Sequence, residues 1–269
     1  MKRVLTLIGA LMVVASPMAA QSPTNVKAVV QKMKDAFEPT RPSTRTLVIT
    51  VSDLGDTKKF IAGQARKQLP DGKRMTTVLL QPADVRGMAF LVSEPKDAKK
   101  PTMMWIYVPF IRRVRQVLGI DAYEHFLGTD FSYADLGFVR QDLSYQLLGS
   151  EQHAGVKADK INEKFPPNQY YYSHLVMWVA QSNMLPLQRN YYDPAGALWK
   201  TELFDSVSVI DGSPTVLHVQ MKDVQANTST DLNVSKVQYD VALPDSLFDP
   251  TYLPKLADDP VWQSGGANQ

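Results

Sequence analysis

Four histidines, at positions 125, 153, 174 and 218, are the first place to look for acid–base or metal chemistry, and His125 sits near Asp121, Glu124 and Asp130. These four can be drawn as a metal-ligand set. The His-Glu-x-x-His spacing that puts two ligands on one helix face does not occur, and charged residues in a connecting segment are usually solvated. A serine hydrolase holds its nucleophile on a Gly-x-Ser-x-Gly elbow, and a nucleotide site cradles phosphates in a glycine-rich loop. Neither pattern is present. Cysteine is absent, which removes disulfides, thiolate metal sites and cysteine nucleophiles. Paired carboxylates for glycoside hydrolysis need only converge in space, so sequence leaves them open. We expect a binding or carrier role rather than an enzyme, with no catalytic residue, metal or cofactor.

The chemistry that does stand out is in Met103–Phe138. Met103–Val108 reads as a strand rich in β-branched and aromatic residues, which Pro109 halts. The cations Arg112, Arg113 and Arg115 follow, then Tyr123, Phe126, Phe131, Tyr133 and Phe138, punctuated by Gly119, Gly128 and Gly137. Adjacent arginines offer forked donors to a phosphate or carboxylate headgroup, or to an acidic partner. The same charges on an extended edge segment would discourage edge-to-edge pairing. Aromatics are core residues by default, but in a glycine-interrupted connection they can also line or cover a cavity. Together they suit a ligand with a greasy body and an anionic head.

The elements that must position this stretch are mostly strands. At 44% hydrophobic and 21% charged residues, the 269-residue chain has the material for a substantial core. Ser22–Phe37 predicts a helix capped by Thr24, with Val26, Val29, Val30, Met33 and Phe37 on one stripe facing a sheet. From Arg45 the period changes to two, and strands follow at Arg45–Ser52, Lys58–Gln68, Lys73–Gln81, Met88–Ser93 and Met103–Val108. After the arginine and aromatic segment, strands resume at Ser144–Gly149, Gly155–Phe165, Tyr170–Ala180, Leu185–Tyr192, Ala197–Val209, Val216–Val224 and Thr230–Tyr239. The connections are too short for parallel crossovers, so the pattern is an antiparallel meander of ten to twelve strands. Asp193-Pro194-Ala195-Gly196 and Asp211-Gly212-Ser213-Pro214 are hairpin signals. Ser132-Tyr133-Ala134-Asp135 resembles a capping box and would open a short helix ending near Gly137, inside an insertion at Ile120–Val139. In the proline-rich tail, Leu247, Phe248, Tyr252, Leu253 and Leu256 can dock as short turns, and 264–269 is expected to be disordered.

The N-terminus reads as an export signal: Lys2 and Arg3, then the apolar run Val4–Ala15, then small residues with cleavage expected after Ala20. Its loss removes two of the 29 basic residues and leaves the rest balanced against 27 acidic ones. A chain without net basic charge does not point to nucleic acid. Without a cysteine to carry a lipid, the mature chain, 21–263, is expected to be one soluble periplasmic domain.

Three runs carry a family resemblance: Leu80-Gln81-Pro82-Ala83-Asp84-Val85-Arg86-Gly87-Met88-Ala89-Phe90-Leu91-Val92, the segment from Trp105-Ile106-Tyr107-Val108-Pro109 to Arg112-Arg113-Val114-Arg115, and Gly128-Thr129-Asp130-Phe131-Ser132-Tyr133-Ala134-Asp135-Leu136. The chain resembles the LolA-like periplasmic proteins, in particular their longer "outer membrane lipoprotein-sorting" branch. The resemblance implies an α+β, mainly β fold, an incomplete and strongly curved antiparallel β-barrel wrapped on an N-terminal helix and a short helical insertion. It also implies an apolar cavity for lipid or acylated lipoprotein cargo, transient membrane contact, and a large inner-membrane exporter of the RND type as a partner. A non-catalytic sensor or scaffold on the same fold is the alternative. We expect Trp105, Tyr107, Phe110, Phe126, Phe131, Tyr133 and Leu136 to meet the acyl chains, and Arg112, Arg113 and Arg115 to contact a headgroup or partner.

Overall fold

The computed structural model describes residues 25–53, 55–97, 99–136, 143–166 and 171–262. The expected signal peptide, Thr24, Gly137, Phe138, Tyr170 and the 264–269 tail lie outside the described residues. Helix α1, Val26–Phe37, begins after Asn25, whose side-chain oxygen accepts the Ala28 amide at 3.3 Å; this residue, rather than Thr24, is the cap. Val30 and Met33 are buried, with Val26, Val29 and Phe37 packed beside them, as the helical spacing requires.

Two meanders follow. The first runs β1 Ser43–Asp53, β2 Asp56–Leu69, β3 Gly72–Gln81, β4 Ala89–Pro95, β5 Met103–Val108 and β6 Arg113–Val117. The second runs β7 Ser144–His153, β8 Val156–Lys164, β9 His174–Ala180, β10 Pro186–Tyr192, β11 Leu198–Ile210, β12 Ser213–Asp223 and β13 Thr228–Tyr239. Each strand pairs antiparallel with its sequence neighbour within a meander, and β1 pairs with β13 from Ser43↔Tyr239 to Ser52↔Ser229. The result is one thirteen-stranded sheet with β6 and β7 at its edges. The expected count was ten to twelve. The strand missed was β6, whose Arg-Val-Arg-Gln-Val alternation puts charge where an apolar face would announce a strand. It is the edge beyond β5, where charges oppose further pairing.

The sheet is strongly curved and does not close into a barrel. Flat, thirteen strands at about 4.8 Å spacing would be roughly 60 Å wide. Residues from β1 to β4 and from β8 to β13 nevertheless line one cavity. Helix α1 lies on the inner face of the second meander, against β12 and β7. The inner face of the first meander is covered by the connection from β6 to β7, which contains the short helix α2, Tyr133–Leu136. In that cover, Phe126 and Tyr133 pack with Phe90, Val92, Met104 and Ile106. The outer face of the same strands is covered by the tail, folded as 3-10 turns at Asp245–Phe248, Pro250–Asp258 and Pro260–Trp262. Leu247, Phe248, Leu253 and Leu256 bury there on Ala65, Val78, Ala89, Leu91 and Tyr107. Strand β4 is therefore buried on both sides, and its alternation divides Ala89 and Leu91 from Phe90 and Val92.

The tail sits so close that β2 needs a glycine. A Cβ on Gly63 would lie 2.4 Å from Cε3 of Trp262, whose indole N–H is held by the Leu256 carbonyl at 2.6 Å. Gly63→Ala is expected to push out the last turn and destabilise the protein by about 1–3 kcal/mol. Thermal melting and tryptophan fluorescence check this; unchanged values for both would mean that the contact is not tight.

Candidate functional site

Between the curved sheet, α1 and the crossing connection lies a cavity of about 220 Å³. Its walls follow from strand alternation. On β1, every second residue faces inward, and Ile49, Leu47 and Arg45 form a row that runs from apolar to cationic. Leu175 and Met177 of β9, Val219 of β12 and Leu232 of β13 continue the apolar wall, and α1 contributes Met33 and Phe37. The connection supplies Phe126, Phe131 and Leu136. Apolar cavities of about 150 Å³ can remain dry and take up small apolar ligands.

The connection is locked in place by polar groups. The Ser132 hydroxyl accepts the Asp135 amide at 3.1 Å, and the Asp135 carboxylate accepts the Ser132 amide at 2.8 Å, which is the capping box read from the sequence. The Phe126 amide reaches the Phe131 carbonyl at 2.8 Å and closes a tight loop. The Asp130 carboxylate accepts hydrogen bonds from the hydroxyls of Thr228 and Thr230 on β13. From β11, Lys200 donates to the Asp130 carbonyl at 2.7 Å and stands 3.6 Å from the Asp135 carboxylate, with both side chains 3% exposed. The Tyr172 hydroxyl also donates to Asp135, at 3.1 Å, and burial pushes that hydroxyl well above the usual tyrosine range.

Charges also enter the cavity wall. Arg189 lies 3.2 Å from Glu202, which accepts the Tyr191 hydroxyl at 2.6 Å. Burial opposes the Arg189 charge, but Glu202 and Tyr191 outweigh it and hold the guanidinium above its ordinary range. At the polar end, Arg45 is paired across the strands with Gln64, and Arg66 is one step further along β2 on the same face. Arg66 Nε donates to the Gln64 side-chain oxygen at 3.0 Å. Arg45 is 8% exposed, and burial followed by the like charge of Arg66 lowers its pKa to about 9, so it remains cationic at neutral pH. Glu38, at the end of α1, has its carboxyl pushed up by burial against the pull of Arg66.

The residues singled out from sequence fall into four places. Phe126, Phe131 and Leu136 line the cavity. Tyr133 packs behind them, 5.6 Å from Phe126 and 5.5 Å from Phe90 between ring centres. Trp105 and Tyr107 are on the other face of β5, under the tail, because alternate residues Met104 and Ile106 take the inner face. Phe110 is at the β5–β6 turn, 95% exposed, beside Ile111 at 51%. Arg112 there adopts a left-handed conformation with φ 50°, and both it and Arg113 are exposed. Arg115 instead faces Asp121 at 3.6 Å and Glu124 at 4.0 Å. The other members of the drawn metal set also have partners: His125 Nδ1 meets the Thr129 carbonyl at 2.7 Å, and Asp130 is held by its two threonines. Sequence reasoning missed Arg45, Gln64 and Arg66. The available signal was parity: Arg45 has the same register as Leu47, Ile49 and Val51, which places a charge on an otherwise apolar face.

A family model described as "-like: Uncharacterized protein" matches residues 71–255. No curated protein matches the sequence. Among solved structures, the chain is similar to a DUF1329 family protein from Desulfovibrio piger, with TM-score 0.78 and 25% identity over 85% of this chain and 98% of that one. It is similar to a domain from Vibrio parahaemolyticus described as outer membrane lipoprotein-sorting, with TM-score 0.77 and 22% identity over 84% and 97% of the two chains. A LolA superfamily protein from Nitrosomonas europaea shares the fold at TM-score 0.67 and 19% identity, over 84% and 98%.

The buried Lys200–Asp135 pair gives a direct test of how the cover is held. Lys200→Met leaves Asp135 buried without its cation and is expected to cost about 3–5 kcal/mol. Lys200→Met with Asp135→Asn, which removes the stranded charge and keeps an acceptor for the Ser132 amide and the Tyr172 hydroxyl, should recover part of that loss in denaturant unfolding. A single variant as stable as the wild type would show that the pair does not fasten the cover.

Proposed function

The chain belongs to the family whose model matches residues 71–255 and has the fold of the LolA superfamily, and from that premise we propose that it is a periplasmic carrier that holds acyl chains of a lipid or lipoprotein in its cavity and moves them toward the outer membrane. The carrying observation is the largely apolar cavity of about 220 Å³ between sheet, helix and cover. An acyl chain filling such a space gains about 0.8 kcal/mol for each methylene removed from water. The gain needs no catalytic group, which accords with a non-enzymatic role. The lipoprotein-sorting description of the similar Vibrio domain supports the same reading. Export is supported by Lys2 and Arg3 followed by Val4–Ala15, and no helix among the described residues is long and apolar enough to cross a membrane.

A second reading rests on the β5–β6 turn. Phe110 and Ile111 are exposed beside Arg112 and Arg113, and large apolar side chains with adjacent cations suit contact with a membrane surface or an acidic partner. In this role the turn would dock the carrier on an inner-membrane exporter or a bilayer. A scaffold without cargo would use the same turn.

Native mass spectrometry of the exported protein, before and after incubation with mixed phospholipids, tests the carrier reading. One bound lipid per chain is expected, and Ala134→Trp, which places a bulky ring at the cavity wall, should reduce occupancy at least about tenfold, the equivalent of about 1.4 kcal/mol. A bare mass under all conditions sinks the carrier reading. For the turn, Arg112→Glu with Arg113→Glu should abolish sedimentation with anionic vesicles while leaving the melting temperature and lipid occupancy unchanged. Unaltered sedimentation would assign both arginines to ordinary solvated surface.

A further inference from the structure

We propose that the cargo is an anionic amphiphile whose carboxylate or phosphate group is seated inside the cavity on Arg45 and Arg66; this rests on the carrier reading and names its substrate class. The first ground is an unmet donor. Arg45 Nε is buried and has no hydrogen-bond partner, although the side chain lines the cavity and is only 8% exposed. The rest of the guanidinium is lightly held: Nη2 reaches the Ser43 hydroxyl at 3.4 Å, and Tyr239 and Glu38 act on it without an ion-pair contact. A guanidinium removed from water with no carboxylate in ion-pair contact is costly, and buried donors ordinarily find partners.

The second ground is how the nearby charges are matched. Glu202 pairs with Arg189, and Asp135 pairs with Lys200. Glu38 acts on both Arg66 and Arg45, and in each it only partly offsets the lowering by burial. Among the described residues, no carboxylate is within ion-pair distance of Arg45. Two arginines on neighbouring strands thus share one acid, and both side chains line the cavity. Forked guanidinium donors bind carboxylate and phosphate oxygens in bidentate fashion, which an ammonium or hydroxyl cannot do.

The third ground is the order of residues along β1. Ile49, Leu47 and Arg45 share one face, so a ligand lying along the strand meets apolar wall first and the cation about 13 Å from Ile49, at 3.3–3.4 Å per residue. This is the sequence of environments that an acyl chain ending in an anion requires. An alkyl alcohol would fill the same wall and leave Arg45 unmet.

Three probes separate the sources of binding: dodecyl phosphate, dodecanol and inorganic phosphate, each titrated calorimetrically into the mature protein below micelle-forming concentrations. The charged amphiphile is expected to bind at least about tenfold more tightly than the alcohol, in line with charge-assisted hydrogen bonds of about 1.5–3 kcal/mol. Inorganic phosphate should bind far more weakly than dodecyl phosphate. Arg45→Met should bring the two alkyl ligands within about threefold while dodecanol binding is retained. It should melt no lower than wild type, because an unpaired buried charge has been replaced by an apolar chain. Arg45→Lys, which keeps charge but loses the fork, should lie between. Equal binding of dodecyl phosphate and dodecanol by wild type, or an undiminished preference in Arg45→Met, overturns the headgroup seat and leaves the carrier reading standing. Inorganic phosphate binding as tightly as dodecyl phosphate overturns it in favour of a free-anion site. Failure of both alkyl ligands to bind overturns the carrier reading itself.

Discussion

The pairing of β1 with β13 is the interaction on which the rest of the structure depends. It joins the first and last strands of the chain in the middle of the sheet, from Ser43↔Tyr239 to Ser52↔Ser229. Each meander then grows outward, and the two strands left at the edges, β6 and β7, are consecutive in sequence. The chain between them must therefore travel from one edge of the curved sheet to the other. That crossing is the cover over the inner face, and it carries Phe126, Phe131 and Leu136 into the cavity.

A sheet of this breadth has two apolar faces to hide, and separate parts of the chain cover them. On the outside, the tail seals β2 to β5 with Leu247, Phe248, Leu253 and Leu256. On the inside, α1 and the crossing connection touch the sheet along their own strips and leave the space between them unfilled. The cover is tied by Asp130 to β13 and by Lys200 from β11, contacts that resist collapse because each buried polar group has a partner there. Arg45, whose buried Nε has no hydrogen-bond partner, lies at the wall of the unfilled space.

Much of this was legible from sequence, because period-two alternation and turn chemistry are local. The hairpin at Asp211-Gly212 is an example, with φ of 48° and 76° at its two central residues. The capping box at Ser132 and Asp135 and the docking of the tail leucines were legible for the same reason. Position across the sheet was not. Trp105 and Tyr107 read as ligand contacts since they adjoin the arginine cluster, yet alternation on β5 sends them beneath the tail. The arginines conspicuous in sequence are on an exposed turn and an edge, whereas Arg45 and Arg66, isolated along the chain, come together only through the β1–β2 register.

The occupant we propose for the space between sheet, helix and cover is an acyl chain. The most direct measurement is photo-crosslinking with a fatty acid carrying a diazirine at mid-chain, followed by peptide mapping. A chain bound there would leave adducts on inward residues such as Leu47, Met177 and Phe37. Adducts confined to Phe110 and Ile111 at the exposed turn, or to the tail on the outer face, would contradict that placement.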